Sequence, residues 1–355
     1  MAVGILSIIC YGLLVLQVHV TGSSVVVSDF YMYNKWSTAW WDFNLRTPSH
    51  VPLYSILLWV VRTLTFHLLD AAAVMHALAL PFVVGAYVYV HRILRFHFPA
   101  ARNVGFTVFG LYPLVGYCYA YAPADPLAIC FLTGAAYYSL ERKWRRFALC
   151  VAFGLISHKA IWPFLGLLAI DAVWRKKCPV FWPLIAGTPL VVFWGWGLCY
   201  GQDWLWLLRT NLQGEFASKS SLPIMDGLLG TLLHPAGMAS LLKACVLLAL
   251  FLVTVYLLVW NLRRLRQPET SFNIALLLPI LLLAVLLNQY EIWAAFRFGR
   301  VIAIPLAAFL VDAEKARRFL ERPVFFYLAA VTFLITSFVF AHYFLAVVAP
   351  TLTHH

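Results

Sequence analysis

Apolar stretches of about 20 residues alternate with short polar turns along this chain, and that is the length a helix needs to cross the hydrocarbon of a bilayer. Residues 1–20 form the first stretch; they lack the basic leader of a signal peptide and are expected to remain as an uncleaved span. Further spans are predicted at 51–69, 72–90, 104–121, 124–140, 179–199, 241–261, 273–289, 299–313 and 324–348. The ten-residue alternation of a membrane barrel is not visible in the sequence. The pattern therefore predicts an all-α polytopic membrane protein.

One stretch breaks the rhythm. Residues 147–174 are bounded by basic clusters at both ends, too short for two full crossings and too long for one with both ends on the same side. The pattern predicts a hairpin of two short helices, broken at His158-Lys159 and restarted at Pro163, since proline suits a first helical turn and breaks a helix before it. Broken helices at membrane depth are tolerated where they line a polar cavity.

The basic residues fix the orientation. They cluster at Arg92, Arg95 and Arg102, at Arg142, Lys143, Arg145 and Arg146, and at Arg175, Lys176 and Lys177. Two more clusters follow, at Arg263, Arg264 and Arg266 and at Lys315, Arg317, Arg318 and Arg322. Read as inter-span loops, they mark the cytoplasmic side. The turn at Pro123–Pro126, the segment Tyr290–Arg300 and the C-terminus then lie outside. So does a long loop at 200–240, whose Trp-Leu-Trp-Leu-Leu run predicts an interfacial helix. If 51–69 and 72–90 both cross, parity puts the Arg92–Arg102 loop on the wrong side. Either 51–69 lies partly along the interface or that loop departs from the rule.

Composition agrees with this class. The 355 residues are 63% hydrophobic and 11% charged, against about 25% charged in a soluble domain, which leaves no separate soluble domain to place. Net charge of +12 invites a nucleic-acid reading, but the positive charge sits in the basic clusters, where anionic headgroups are a sufficient partner. The seven cysteines form no Cys-x-x-Cys pair and suggest neither a disulfide framework nor a zinc site.

The acidic residues are sparse, and seven of the fourteen fall on the outer side. Asp29 follows the first span in Asp-Phe-Tyr-Met-Tyr, Asp125 sits in Ala-Pro-Ala-Asp-Pro-Leu, and Glu291 shares a loop with Arg297 and Arg300. Lys159 interrupts the hairpin. Charges near hydrocarbon are costly when unpaired, so each is a functional candidate. Each also has a plainer role available. Asp125 would N-cap the helix it begins, Lys159 would snorkel to the headgroups, and Arg297 and Arg300 would anchor in lipid. Asp29, Asp42, Glu215, Asp226 and His234 would be solvated loop residues, and Tyr117, Tyr119 and Tyr121 an aromatic belt.

In order, four motifs carry a family likeness. They are Asp29 with Tyr33, the run His50-Val51-Pro52-Leu53, the turn Asp125-Pro126, and the Gly-x-x-x-x-Lys break from Gly154 to Lys159. Over residues 25–165 this order resembles the GT-C superfamily of membrane glycosyltransferases, closest to the protein O-mannosyltransferases and the aminoarabinose transferase of lipid A. The resemblance implies a bundle of about 10–12 transmembrane helices with an outer-face cavity. It implies one integral membrane domain over 1–355, with a catalytic module at 1–178 that includes a first outer loop at 21–50. Variable C-terminal helices would fill 179–355, with the outer loop 200–240. Ser49 and His50 stand where the aminoarabinose branch has a metal-binding Glu and a Lys, so no metal or other cofactor is expected.

The resemblance implies transfer of a sugar from a polyprenyl-phosphate donor to a lipid, glycan or protein acceptor. The site would face the periplasm of a bacterial inner membrane or the lumen of an endoplasmic reticulum. Such transfer needs a base for the acceptor's proton and cations for the leaving phosphate. A carboxylate at the hydrocarbon boundary suits the base, and Asp29 is the choice, with Asp125 positioning acceptor or base. Lys159, Arg297, Arg300 and His50 are candidates for the phosphate, with Tyr33, His158 and Glu291 lining the substrate. A single in-line displacement would invert the anomeric centre. A lipid-linked sugar flippase is the rival of a different class, although transporters show internal repeats and midplane polar groups and no repeat is evident. A polysaccharide polymerase or ligase would use similar chemistry.

Overall fold

The computed structural model describes residues 2–20, 33, 51–65, 68, 71–113, 124–200, 202–207, 226–233, 238–267, 269–287 and 297–343. Among them the backbone is helical or turn-forming, with no strand. The helices are α1 (Ala2–Val20), α2 (Leu53–Leu64), α3 (Ala71–His97), α4 (Arg102–Gly110), α5 (Asp125–Leu140), α6 (Trp144–Leu155) and α7 (Trp162–Trp174). They continue with α8 (Phe181–Cys199), α9 (Met238–Leu262), α10 (Thr270–Leu286), α11 (Ala303–Asp312), α12 (Glu314–Leu320) and α13 (Pro323–Tyr343). Asp29, His50 and Glu291 lie outside the described residues, as do Asp42, Glu215, His234, Tyr117, Tyr119 and Tyr121.

Three helices, Ala73–His97, Phe181–Cys199 and Ala244–Leu262, are long and apolar enough to cross a membrane; the pair Glu314–Leu320 and Pro323–Val339, bent by 62°, makes a fourth if it is one span. Leu184, Val191, Val192, Leu252 and Val331 are each more than half exposed on these helices. Water would penalise such a surface and lipid accepts it. Hydroxyls within the helices bond back to their own backbone: Thr133 to Ile129, Thr254 to Leu250 and Thr336 to Thr332. That satisfies them without water.

Several boundaries differ from the sequence expectation. Over its described residues the helix expected at 104–121 runs to Gly110, with Leu111 already out of helical geometry. Pro113 follows, and the residue before a proline is pushed out of the α region. Arg92 and Arg95 are not loop residues but ride the last turns of α3, which meets no proline after Pro81 until Phe98-Pro99. Arg297 and Arg300 likewise lie on a helical segment leading into α11 rather than in a loop. The stretch 51–69 contracts to the twelve residues of α2, about 18 Å at 1.5 Å per residue and short of the ~30 Å a crossing needs. Over its described residues the interfacial helix expected at 204–208 is a turn at Trp204 and Leu205 that becomes helical at Trp206 and Leu207, packed on α8. Trp206 is buried there against Phe193, its Nε1 donating to the Trp194 carbonyl at 3.1 Å.

The expected hairpin is present. Helix α6 ends at Leu155, a turn spans His158 to Ile161, and α7 begins at Trp162 with Pro163 in its first turn. Helix α5 packs beside both arms, and α3 on α5. Small residues let these backbones approach. A Cβ on Gly85 of α3 would meet Cys130 Sγ at 2.7 Å, and one on Gly134 of α5 would meet Cys150 Sγ at 2.9 Å.

The basic clusters gather at one end of this bundle. His97 faces Glu141 at 3.6 Å, Arg175 donates to the Leu265 carbonyl at 3.2 Å, and Arg264 pairs with Asp312. Lys176 Nζ lies 3.2 Å from Asp171 Oδ2, donates to Ser139 Oγ at 3.1 Å and covers the Phe272 ring. Burial holds the Lys176 ammonium below the usual lysine range, with Asp171 pulling the other way. Arg142 and Lys177 take positive φ of 55° and 57° just past α5 and α7, in positions that end a helix left-handed.

Candidate functional site

Helix α5 measures out the hairpin beside it. Ser139, near its C-terminus, meets Lys176 at the hairpin's base, while Asp125, its first residue, meets His158 at the tip. Fourteen residues of rise separate the two ends, about 20 Å.

The tip is a built turn. Leaving α6 would orphan its last carbonyls, and three carbonyls at the turn find donors. Ser157 Oγ donates to the Gly154 carbonyl at 2.8 Å, Trp162 Nε1 to that of Leu155 at 2.7 Å, and the Leu53 N–H at the start of α2 to that of Ile156 at 2.9 Å. Gly154 leaves room for the returning arm, since a Cβ there would meet Leu165 Cδ1 at 2.7 Å. His158 has extended backbone and caps the turn, its Nδ1 accepting the Ala160 N–H at 3.1 Å. With Nδ1 an acceptor, the proton of the neutral ring belongs on Nε2.

That nitrogen faces Asp125. His158 Nε2 lies 3.7 Å from Asp125 Oδ1, and Arg297 Nη1 lies 3.2 Å from Asp125 Oδ2. Asp125 is 4% exposed. It does not cap α5, contrary to the plainer sequence expectation: Ala124 holds the cap position and no side-chain cap bond forms. Its carboxylate is turned instead to groups from two other segments. The helix N-terminus behind it adds favourable partial charge.

Phe298 completes the contact, its ring 5.1 Å from that of His158. Two residues on, Arg300 is 2% exposed with its guanidinium 4.6 Å from the Phe109 ring. Gly299 between them is packed so closely that a Cβ would meet Leu250 Cδ2 at 2.7 Å and Tyr112 Oη at 3.0 Å. Lys159, half-buried, opens the short turn directly after His158.

The structure thus brings together Asp125, His158 and Arg297, and sets Lys159 and Arg300 on the same two segments. Tyr33 lies elsewhere in the core, its ring 4.8 Å from Tyr54, whose hydroxyl donates to the Met75 carbonyl. Leu53, bonded to Ile156, links that cluster to the hairpin tip by a single residue. Sequence reasoning missed Phe298, Trp162 and the Leu53 anchor. Phe298 stands between two arginines in an apolar setting, a signal that was there to read.

Chemically, this is a buried carboxylate among cations that outnumber it over the described residues. It suits a hydroxyl held by Asp125 next to an anion held by arginine and lysine. No three His, Cys, Asp or Glu side chains come together among the described residues. Comparison with protein-family models, with curated proteins and with solved structures found no match to this chain.

Proposed function

We propose that this chain is a multi-pass enzyme of the GT-C type, built on about 10–12 transmembrane helices. It moves a sugar from a polyprenyl-phosphate donor to a lipid, glycan or protein acceptor at the outer or luminal membrane face. The observation that carries the proposal is the meeting of Asp125, His158 and Arg297 at the hairpin tip, at the far end of α5 from the basic clusters.

In this mechanism Arg297, Lys159 and Arg300 supply positive charge for the leaving polyprenyl phosphate, a dianion as the glycosidic bond breaks. Asp125, tied to Arg297 and His158, is placed to hold the acceptor hydroxyl by a hydrogen bond. Proton removal falls to Asp29 in the first outer loop, and a single displacement inverts the anomeric carbon. No internal repeat of the kind transporters show is evident in the sequence, which favours transfer over a flippase.

The test is release of sugar from a labelled polyprenyl-phosphate donor by the purified chain in nanodiscs. Asp29→Asn and Asp125→Asn should each lower turnover at least ~100-fold while donor binding persists, the scale expected for a lost acid–base or positioning group. Failure of the wild-type chain to bind or turn over any donor in a panel of polyprenyl-phosphate sugars would sink the proposal and favour transport.

A further inference from the structure

At the basic end the last turns of α3 border a cavity of about 520 Å³, shared with α4 and α5. Its polar lining is Arg92, Arg95 and His91. Its apolar wall is Val88, Phe96 and Phe106, closed by Tyr87 and Tyr137. None of these residues belongs to the Asp125 site.

The walls are held in place. The Tyr87 hydroxyl donates to the Gly110 carbonyl at 3.1 Å and its ring stands edge-on to Phe106, 5.8 Å away. His91 also stands edge-on to Phe106 at 5.6 Å, and the Arg92 guanidinium lies 5.9 Å from the Tyr137 ring. Arg92 and Arg95 are exposed, and among the described residues no carboxylate lies within ion-pair distance of either. The nearby Glu141 is engaged with His97 and Lys143. Val88 and Phe96 are 42% and 60% exposed, so the apolar wall continues onto the lipid-facing side of α3.

A rigid aromatic pocket with two guanidiniums at its mouth and an apolar flank matches a phosphate group joined to an acyl chain. Arginine engages phosphate oxygens bidentately, and basic pockets between spans on the cytoplasmic side take acidic headgroups. A volume of this order accommodates a headgroup with its glycerol. We propose that this cavity binds the headgroup of an anionic phospholipid, with the phosphate on Arg92 and Arg95 and the acyl chain along Val88 and Phe96. The site is independent of the glycosyltransferase reading.

The full chain in nanodiscs is exposed to a photoactivatable phosphatidylglycerol or to phosphatidylcholine with the same label, and the crosslinked peptides are mapped. The expected result is selective labelling of 87–106 by phosphatidylglycerol. Labelling should fall roughly thirtyfold in R92Q/R95Q, at about 1 kcal/mol per charge. Loss of wild-type labelling in millimolar inorganic phosphate would reassign the pocket to soluble phosphate and overturn the lipid assignment. Equal labelling by the two lipids, or crosslinks that map away from this segment, would overturn it too. Both readouts use wild-type protein, so they stand even if the double variant does not fold.

Discussion

Arg297 Nη1 lies 3.2 Å from Asp125 Oδ2, joining the start of one helix in the first half of the chain to a helical turn in the second. The pair is largely shielded, and His158 approaches the other carboxylate oxygen from the hairpin tip. Removing one partner of a buried pair leaves the other charge uncompensated. Asp125→Asn should therefore lower stability by about 3 kcal/mol, while Asp125→Asn with Arg297→Gln recovers more than half of that loss. Unfolding of the purified chain in detergent measures all three proteins. Additive losses would show that the two residues do not act as a pair.

His158 has separable duties, since Nδ1 caps the turn and Nε2 faces Asp125. Asparagine can accept the Ala160 N–H without supplying an Nε2 group. His158→Asn should stay within ~0.5 kcal/mol of the parent and His158→Ala should lose about 1 kcal/mol, the usual cost of a missing cap. Both variants should lose donor turnover to the same degree. Equal stability loss in the two would remove the capping role.

The Asp171–Lys176 pair at the basic end gives a pH-dependent expectation. Lys176 titrates below an ordinary lysine, because burial disfavours its charged form more than Asp171 favours it. Between the folded and ordinary values the unfolded chain binds more protons, so stability rises with pH across that window. Asp171→Leu with Lys176→Met should abolish the rise and remain within ~1 kcal/mol of wild type near neutrality, since apolar replacement of a buried pair is often neutral. Unfolding midpoints from neutral to strongly alkaline pH decide it; a slope retained by the double variant would assign the rise to other groups.

Close packing of α3 on α5 predicts a paired effect. Gly85→Ala places a methyl 2.7 Å from Cys130 Sγ and should cost about 1–3 kcal/mol, as overpacking does. Cys130→Ala in the same chain should restore most of it. Rescue that fails would mean that strain elsewhere on α3 dominates.

The hairpin was legible in the sequence because its signals are local: basic residues at both ends, a glycine, then histidine, lysine and proline in an apolar run. Asp125, His158 and Arg297 were each visible as polar residues in apolar surroundings. Their meeting was not, because no local period encodes contact between distant segments. The errors share a cause. Arg92 and Arg95 read as loop because charge was equated with a turn, yet arginine at the end of a long helix extends its stem along the surface and keeps the helix intact. The packing of Trp206 on Phe193 in the preceding helix was likewise beyond what its residue type encodes.

The twelve and thirteen residues of the hairpin arms reach only about 20 Å. With the basic end at one headgroup layer, Asp125 would stand roughly 10 Å below the other surface of a ~30 Å hydrocarbon layer. An acceptor arriving from water would have to reach down that distance with a slim terminus, about three extended residues at ~3.3 Å each. A lipid-borne acceptor would enter sideways at the right depth. The length of two short helices would then act as a ruler, admitting tails and lipid headgroups and turning away folded surfaces.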